Sequence, residues 1–309
     1  MTRHGRTAIR FAVLLVVALA LLLCTLSCDR TESDKIKVAV TIFPLADFVG
    51  EVAGDKVEVI TLIPAGASPH TYEMTPGQVA EAAEARLLVV NGAGLDFWVE
   101  EEIRTAAGAD LLVLDTSLIV DLEGLLIEEG HAEEGHDHGG VNPHIWLDPV
   151  LAQKQVQAIA QALVMIDPDN RNFYLDRAID YVAELQQLHE DIGPTVEDFD
   201  PPEFVSLHPA WTYFARRYGL TEAAVIQKSA GQEPSPAWIK EIIDLVKEHG
   251  IVAIFAETQT TSEDAETIQG ETGATVILLD PIGGPDLPQR DNYIDLMRYN
   301  VDLMKGVMG

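Results

Sequence analysis

The sequence predicts an α/β fold of two lobes, each with a mostly parallel four-stranded sheet flanked by helices, joined by one long rigid helix. Three observations predict it. Short runs rich in Val, Ile and Leu alternate with helical patterns, the order that builds parallel sheets. These runs fall into two groups of four, separated by roughly ninety residues without a strand pattern, a spacing that favours two lobes over one eight-stranded sheet. Inside that gap, apolar residues from Phe173 to Leu188 recur every three or four positions, the signature of one helix of about 20 residues.

Taken in order, the first group places strands near Ile36–Ile42, Val57–Ile63, Leu87–Val90 and Leu111–Leu114, with helices at Leu45–Val52, Pro76–Ala85 and Asp96–Ala107. The second places strands near Phe204–Leu207, Ala223–Ile226, Ile251–Phe255 and Thr275–Leu279, with helices at Trp211–Tyr218, Pro236–His249, Ser262–Glu271 and Asn292–Met304. Between the groups, Glu128 to Gly140 is polar, charged and Gly-punctuated, a composition that buries too little apolar surface to order itself. From Asp148 to about Asp191 the pattern is helical, broken only at Asp167-Pro168-Asp169. The expected boundaries are a 28–168 N-terminal lobe carrying the His- and acid-rich loop 128–140, a linking helix 169–193, and a 194–309 C-terminal lobe. A single helix between lobes makes a stiff connection. No solenoid repeat is present.

Composition narrows the function. The 309 residues hold 50 Asp and Glu against 20 Lys and Arg, for a formal charge of −30. That is the wrong sign for a protein that must neutralise a phosphate backbone, so nucleic acid is not an expected partner. The two cysteines, Cys24 and Cys28, both precede Asp29, so the body has no disulfide framework, cysteine zinc site or thiol nucleophile. Arg3, Arg6 and Arg10 followed by an apolar run from Phe11 to Leu23 form a signal-peptide layout. The run is shorter than the roughly 20 residues of a spanning helix. Residues 1–27 therefore read as an export signal. Leu26-Ser27-Cys28 resembles a bacterial lipobox in which Cys28 carries the lipid, although Thr25 stands where Leu is usual, and plain cleavage nearby is the alternative. Removal of residues 1–27 takes away three arginines and no acid, leaving an exported body more acidic still.

In parallel α/β sheets ligands bind beyond the carboxyl ends of the strands. His70 follows the second strand, His208 directly follows Phe204–Leu207, Asp280 directly follows Thr275–Leu279, and His144 lies after the loop and just ahead of the helical region. Three imidazoles and a carboxylate at such turns, two from each half, suit a four-coordinate divalent cation between lobes. Neutral imidazoles favour Zn(II), whereas Mn(II) prefers more oxygen donors. Taken singly, each histidine equally fits a surface or hydrogen-bonding role, and Asp280 before Pro281 equally fits a turn. Glu257, also at a strand end, is a candidate ligand or an acceptor that orients a histidine. Spacing alone leaves these alternatives open.

Five segments carry a family resemblance: Ser68-Pro-His70-Thr-Tyr-Glu-Met-Thr-Pro76, Asn91-Gly-Ala-Gly-Leu-Asp-Phe-Trp98, Asn142-Pro-His144-Ile-Trp-Leu-Asp-Pro149, His208-Pro-Ala-Trp-Thr-Tyr-Phe-Ala-Arg-Arg-Tyr-Gly-Leu220 and Leu279-Asp280-Pro-Ile-Gly-Gly284. In that order they resemble the zinc/manganese solute-binding proteins of ABC importers, across essentially the whole chain after the signal. The resemblance implies two lobes, a rigid linking helix, a metal buried in the cleft, and delivery to an ABC permease and its ATPase. It assigns ligand roles to His70, His144, His208 and Asp280. Histidine at position 208 implies a zinc-type member, since manganese members tend to have Glu there. Two departures stand out: Pro209 replaces a residue that is often Asp or Asn, and Pro69 removes the adjacent carboxylate some zinc members use. Asp280 is then the expected fourth ligand, with water or Glu257 as competitors.

The segment containing His131, His136 and His138 resembles a short form of the family's His- and acid-rich loop, which implies weak zinc capture; a solvated linker is the alternative. His189 and His249 are read as surface residues, and Trp98, Trp146, Trp211 and Trp238 as core or cleft-wall packing. No Gly-x-Ser-x-Gly elbow, Walker loop or His-Glu-x-x-His helix occurs, so enzymatic readings lack a motif. The expectation is a non-enzymatic, exported zinc-binding component of an ABC importer. It would sit in a periplasm or on the outer face of the cytoplasmic membrane, held by a lipid anchor. The same role with Mn(II), a zinc-dependent hydrolase, and a metal buffer or adhesin without transport are the competing readings.

Overall fold

Branched aliphatic runs buried on both faces make parallel strands, and the computed structural model shows them as such. It describes residues 35–107, 110–119, 141–227, 233–259 and 263–309. The export segment 1–27, Cys28, and the loop 128–140 with His131, His136 and His138 lie outside the described residues.

The first sheet contains β1 (Ile36–Val40), β2 (Val57–Thr61), β3 (Leu87–Val90) and β4 (Leu112–Asp115), ordered β2-β1-β3-β4 and parallel throughout. The second contains β5 (Glu203–Ser206), β6 (Thr221–Val225), β7 (Ala253–Glu257) and β8 (Thr275–Leu279), ordered β6-β5-β7-β8 and again parallel. The inner strands β3 and β7 are buried along their whole length, whereas the edge strand β2 is buried only at Val57 and Ile60. Both sheets reverse direction of growth after their second strand, which opens a crevice at the carboxyl ends of β1 and β3 and of β5 and β7. Gly92, just past β3, has φ +82°, and a Cβ there would lie 1.8 Å from Asp115 Oδ1, so the turn requires glycine.

Helices α1 (Phe43–Ala53), α2 (Pro76–Ala82) and α3 (Phe97–Ala107) accompany the first sheet; α6 (Thr212–Tyr218), α7 (Pro236–His249), α8 (Glu263–Thr272) and α9 (Tyr293–Met308) accompany the second. The connection is a helical hairpin, α4 (Pro149–Ile166) and α5 (Arg171–Glu197), separated by the turn Pro168–Asn170. Local chemistry sets these starts. Thr75 and Gln78 form a capping box on α2, Asp148 Oδ1 accepts from Val150 N at 2.8 Å on α4, and Asn292 accepts from Asp295 N on α9, each satisfying an amide the helix leaves unpaired.

Helix α5 is longer than the sequence pattern suggests. It continues through Pro194 to Glu197; Pro194 has no N–H for the Glu190 carbonyl, and the turn is held by burial of Ile192 and Val196 on either side. Its buried stripe of Tyr174, Ala178, Tyr181, Leu185, Leu188, Ile192 and Val196 belongs to one apolar cluster. That cluster runs from β1 and α1 of the first lobe to Phe204, Phe255 and α9 of the second. Asp47 of α1 closes the junction: its Oδ2 accepts from Tyr181 Oη at 2.8 Å and from Tyr293 N at 3.1 Å. Burial raises the Asp47 carboxyl to about 6, against the opposing hydrogen bonds. Leu185 is fully buried in this cluster, and Leu185→Ala is expected to destabilise the protein by about 2–5 kcal/mol, read as a lower urea midpoint.

Candidate metal centre

Three strand ends and one connecting segment contribute the site. After β2 the chain folds through tight turns, Ala67 N to Pro64 O at 3.1 Å and Thr71 N to Ser68 O at 3.3 Å, and delivers His70. His144 ends the 141–144 segment, before the short helix Ile145–Leu147. His208 follows β5, and Glu257 is the last residue of β7. Among the described residues these three histidines form the group of candidate ligands, with their ligand atoms within 4.8 Å of one another. Two contacts define it: His144 Nε2 lies 3.1 Å from His70 Nε2 and 3.1 Å from His208 Nε2.

Neighbouring groups fix which nitrogen carries the proton. Asn142 Nδ2 donates to the Pro209 carbonyl at 2.6 Å, so its Oδ1 must face His144. Oδ1 then accepts from both the His144 backbone N at 3.0 Å and Nδ1 at 2.9 Å. With the proton on Nδ1, the Nε2 of His144 is a lone pair. His208 is set the same way, because its Nδ1 is paired with the Glu257 carboxylate. Two lone pairs 3.1 Å apart repel each other, and a cation between them turns that repulsion into coordination.

His144 and His208 are buried, and His70 is the most open of the three. Burial, followed by the proximity of His208, lowers the His70 pKa to about 3. Burial, followed by His208 and His70, holds His144 well below its ordinary value of 6.5. These two imidazoles therefore stay neutral and available to a metal. The cavity the three histidines share with Ser68, Trp146, Glu257, Gln259, Pro281 and Ile282 has a volume of about 10 Å³, about the space of one water beside the ring nitrogens.

Asp280 lies apart from that group. It is buried, and both oxygens are engaged: Oδ1 accepts from Gln259 Nε2 at 2.9 Å, Ile282 N at 3.1 Å and Gly283 N at 3.0 Å, and Oδ2 from Arg290 Nη1 at 3.0 Å. Glu257 faces the back of His208 and occupies the orienting position. Of the other histidines, His249 is exposed and paired with Glu203 at 2.9 Å, whereas His189 is half-buried, 3.1 Å from Tyr218 Oη.

The cleft is closed by contacts between the two lobes. Trp146 Nε1 donates to the Pro281 carbonyl at 2.7 Å, and Tyr213 Oη to the Asn142 carbonyl at 2.8 Å. Arg217 pairs with Asp148 at 2.8 Å. A Cβ on Gly284 would lie 2.5 Å from Ala65 Cβ, so glycine permits the loops to meet. Sequence reasoning did not single out Asn142, Gln259 or Arg290. Asn142 lay inside the quoted Asn-Pro-His motif, but nothing local marks Gln259 or Arg290, whose roles come from contacts with Asp280.

Two α/β lobes closing a three-histidine pocket over an ion-sized cavity define a metal-binding protein of the two-lobed, cleft-binding class. Residues 38–307 match the family described as "ZnuA: Zinc-uptake complex component A periplasmic", and the chain belongs to that family. It is 34% identical over 287 residues to the "High-affinity zinc uptake system protein ZnuA" of Bacillus subtilis (strain 168), covering 89% of this chain and 88% of the relative. It is 29% identical over 297 residues to the "Manganese-binding lipoprotein MntA" of Halalkalibacterium halodurans, covering 94% and 95%. A solved structure titled "Crystal structure of ZnuA" superposes with a TM-score of 0.79 at 32% identity, covering 89% of this chain and all of that one.

Two outcomes follow from this geometry. Asn142→Asp keeps an acceptor for His144 but removes the donor to Pro209, and is expected to weaken metal binding about 10–100-fold, read by chelator competition. For His144, a depressed folded pKa means that the unfolded chain takes up a proton near 6.5 while the folded chain does not. Its contribution to apo-protein stability is therefore full above 6.5 and lost as pH falls below it. The urea stability of the apo-parent relative to His144→Gln should decline from pH 7 to pH 5.

Proposed function

We propose that this protein captures Zn(II) in the cleft between its lobes and delivers it to the permease and ATPase of an ABC importer. The observation that carries the proposal is the convergence of His70, His144 and His208, with the protons of His144 and His208 placed so that their Nε2 lone pairs face the cluster. A nitrogen-rich, uncharged set suits borderline Zn(II) better than Mn(II), which favours oxygen donors. In this reading three histidines hold the metal, and Asp280, retained by Arg290 and Gln259, stays outside the coordination sphere. Glu257 orients His208. The zinc-uptake family and the Bacillus subtilis relative's name support zinc.

Manganese is the second reading, favoured by the manganese-binding relative. Enzymatic turnover is disfavoured by the ion-sized cavity, which admits no organic substrate beside the metal, and by a family of transport components. No helix among the described residues is long and apolar enough to cross a membrane. Export by residues 1–27 and a lipid on Cys28 are the proposed route to the membrane face; MntA is likewise called a lipoprotein. His131, His136 and His138 serve as a weaker capture segment. The proposed lobes are 28–168 and 194–309, with 169–193 between them.

The test is a titration of metal-stripped protein with Zn(II) and Mn(II), against a chelator. One tight zinc equivalent should persist after deletion of residues 131–138 and under excess Mn(II), and His208→Ala should weaken it by at least about 100-fold, as expected for losing one of three donors to a metal. Tight zinc in His208→Ala would remove the site assignment. Preference for Mn(II) would leave the transporter but change the cargo. Failure to stimulate zinc uptake through the cognate permease would favour a buffer or adhesin.

A further inference from the structure

Gln259 lies two residues beyond Glu257 and lines the same cavity as the three histidines. Its Nε2 donates to Asp280 Oδ1 at 2.9 Å. A carboxylate paired with an arginine only accepts, so the amide has one orientation, with its nitrogen on Asp280 and its carbonyl oxygen turned away. That Oε1 is buried and has no hydrogen-bond partner among the described residues. Buried carbonyl oxygens are nearly always partnered, so an orphan at a cavity wall points to a donor that occupies the cavity.

The orientation is enforced from behind. Asp280 is held by the backbone amides of Ile282 and Gly283 and by Arg290 Nη1. The Arg290 guanidinium is itself seated 4.8 Å from the centre of the Tyr299 ring. Arg290, Asp280 and Gln259 thus form a chain that begins in the second lobe's packing and ends in a residue of the metal cavity's wall whose carbonyl oxygen has no partner among the described residues. His144 and His208 cannot satisfy that acceptor, because their protons are committed to Asn142 and Glu257. A tetrahedral zinc held by three nitrogens takes its fourth ligand from solvent, and a zinc-bound water is a strongly polarised donor.

We propose that Gln259 Oε1 accepts a hydrogen bond from the water on the fourth position of the cleft-bound zinc, and that Asp280 and Arg290 act by aiming Gln259. This rests on the cleft-zinc reading above. It makes Gln259 a specificity and residence determinant: the metal is held through a water by a neutral amide, so the site keeps an oxygen in its shell without gaining a negative charge.

The experiment measures zinc affinity by chelator competition in the metal-stripped parent, Gln259→Met, Gln259→Leu and His208→Ala. X-ray absorption at the zinc edge reports the first shell of the loaded parent and of Gln259→Met, and thermal melts of the metal-free proteins verify folding. Both Gln259 variants should bind about 10–100-fold more weakly than the parent, the usual loss on removing a neighbour of a metal's own ligands. The first shell of Gln259→Met should remain three nitrogens and one oxygen. Parent-like affinity in both variants, with tight zinc in the parent and its loss in His208→Ala, would overturn the Gln259 role alone. Loss of the first-shell oxygen in Gln259→Met would also overturn it, by making Gln259 a direct ligand. Absence of tight zinc in the parent, or its retention in His208→Ala, would instead remove the cleft-zinc reading.

Discussion

The lone pairs of His144 and His208, turned toward one another across 3.1 Å, are the constraint around which this molecule is arranged. Left to itself, an imidazole cluster relieves such crowding by protonation or by rotation of a ring. Neither route is open here. Burial disfavours the charged form of His70 and His144, and the opposite edges of His144 and His208 are held by Asn142 and Glu257. The fold therefore keeps three donors in a binding-ready state, and the free energy of a dication in their midst is not spent on organising them.

That preorganisation depends on the two lobes keeping their distance. Asn142 belongs to the segment that carries His144, yet its amide is fixed by the carbonyl of Pro209, next to His208. One side chain thus sets the protonation of a first-lobe ligand by reading the position of the second lobe. Any widening of the cleft has to break this bond together with those from Trp146 to Pro281 and from Tyr213 to Asn142. Behind the cleft, α5 resists such movement because its buried stripe shares one core with both lobes. Metal exchange is consequently coupled to a few polar contacts at the cleft, while the apolar spine stays intact.

Much of this was legible in the sequence because its signals are local. The eight aliphatic runs, the heptad-like stripe from Phe173 to Leu188, and the histidines at strand ends each follow from short-range patterning, and the strands and helices lie within a few residues of their expected places. Boundaries shifted where a neighbour decided the matter: α5 passes Pro194 because Ile192 and Val196 are packed. The partners of Asp280 were not legible. Its position after β8 is what a ligand would have, but its carboxylate answers to Arg290, ten residues on, and to Gln259 on the neighbouring strand's loop. A carboxylate's direction depends on which donors surround it, and those donors come from tertiary packing.

The consequence of that placement is electrostatic. Arg290 compensates Asp280, and the remaining carboxylate, Glu257, acts on the metal only through the ring of His208. The pocket therefore presents nitrogen donors with a single negative charge one imidazole removed. A hard cation such as Mn(II) gains little from such a set, since its affinity comes from direct carboxylate and carbonyl oxygens. Zn(II) gains most from neutral imidazoles whose basicity is raised by a hydrogen-bonded carboxylate behind them. In the proposed zinc reading, discrimination in this cleft arises as much from the carboxylate that Arg290 engages as from the three histidines that are offered.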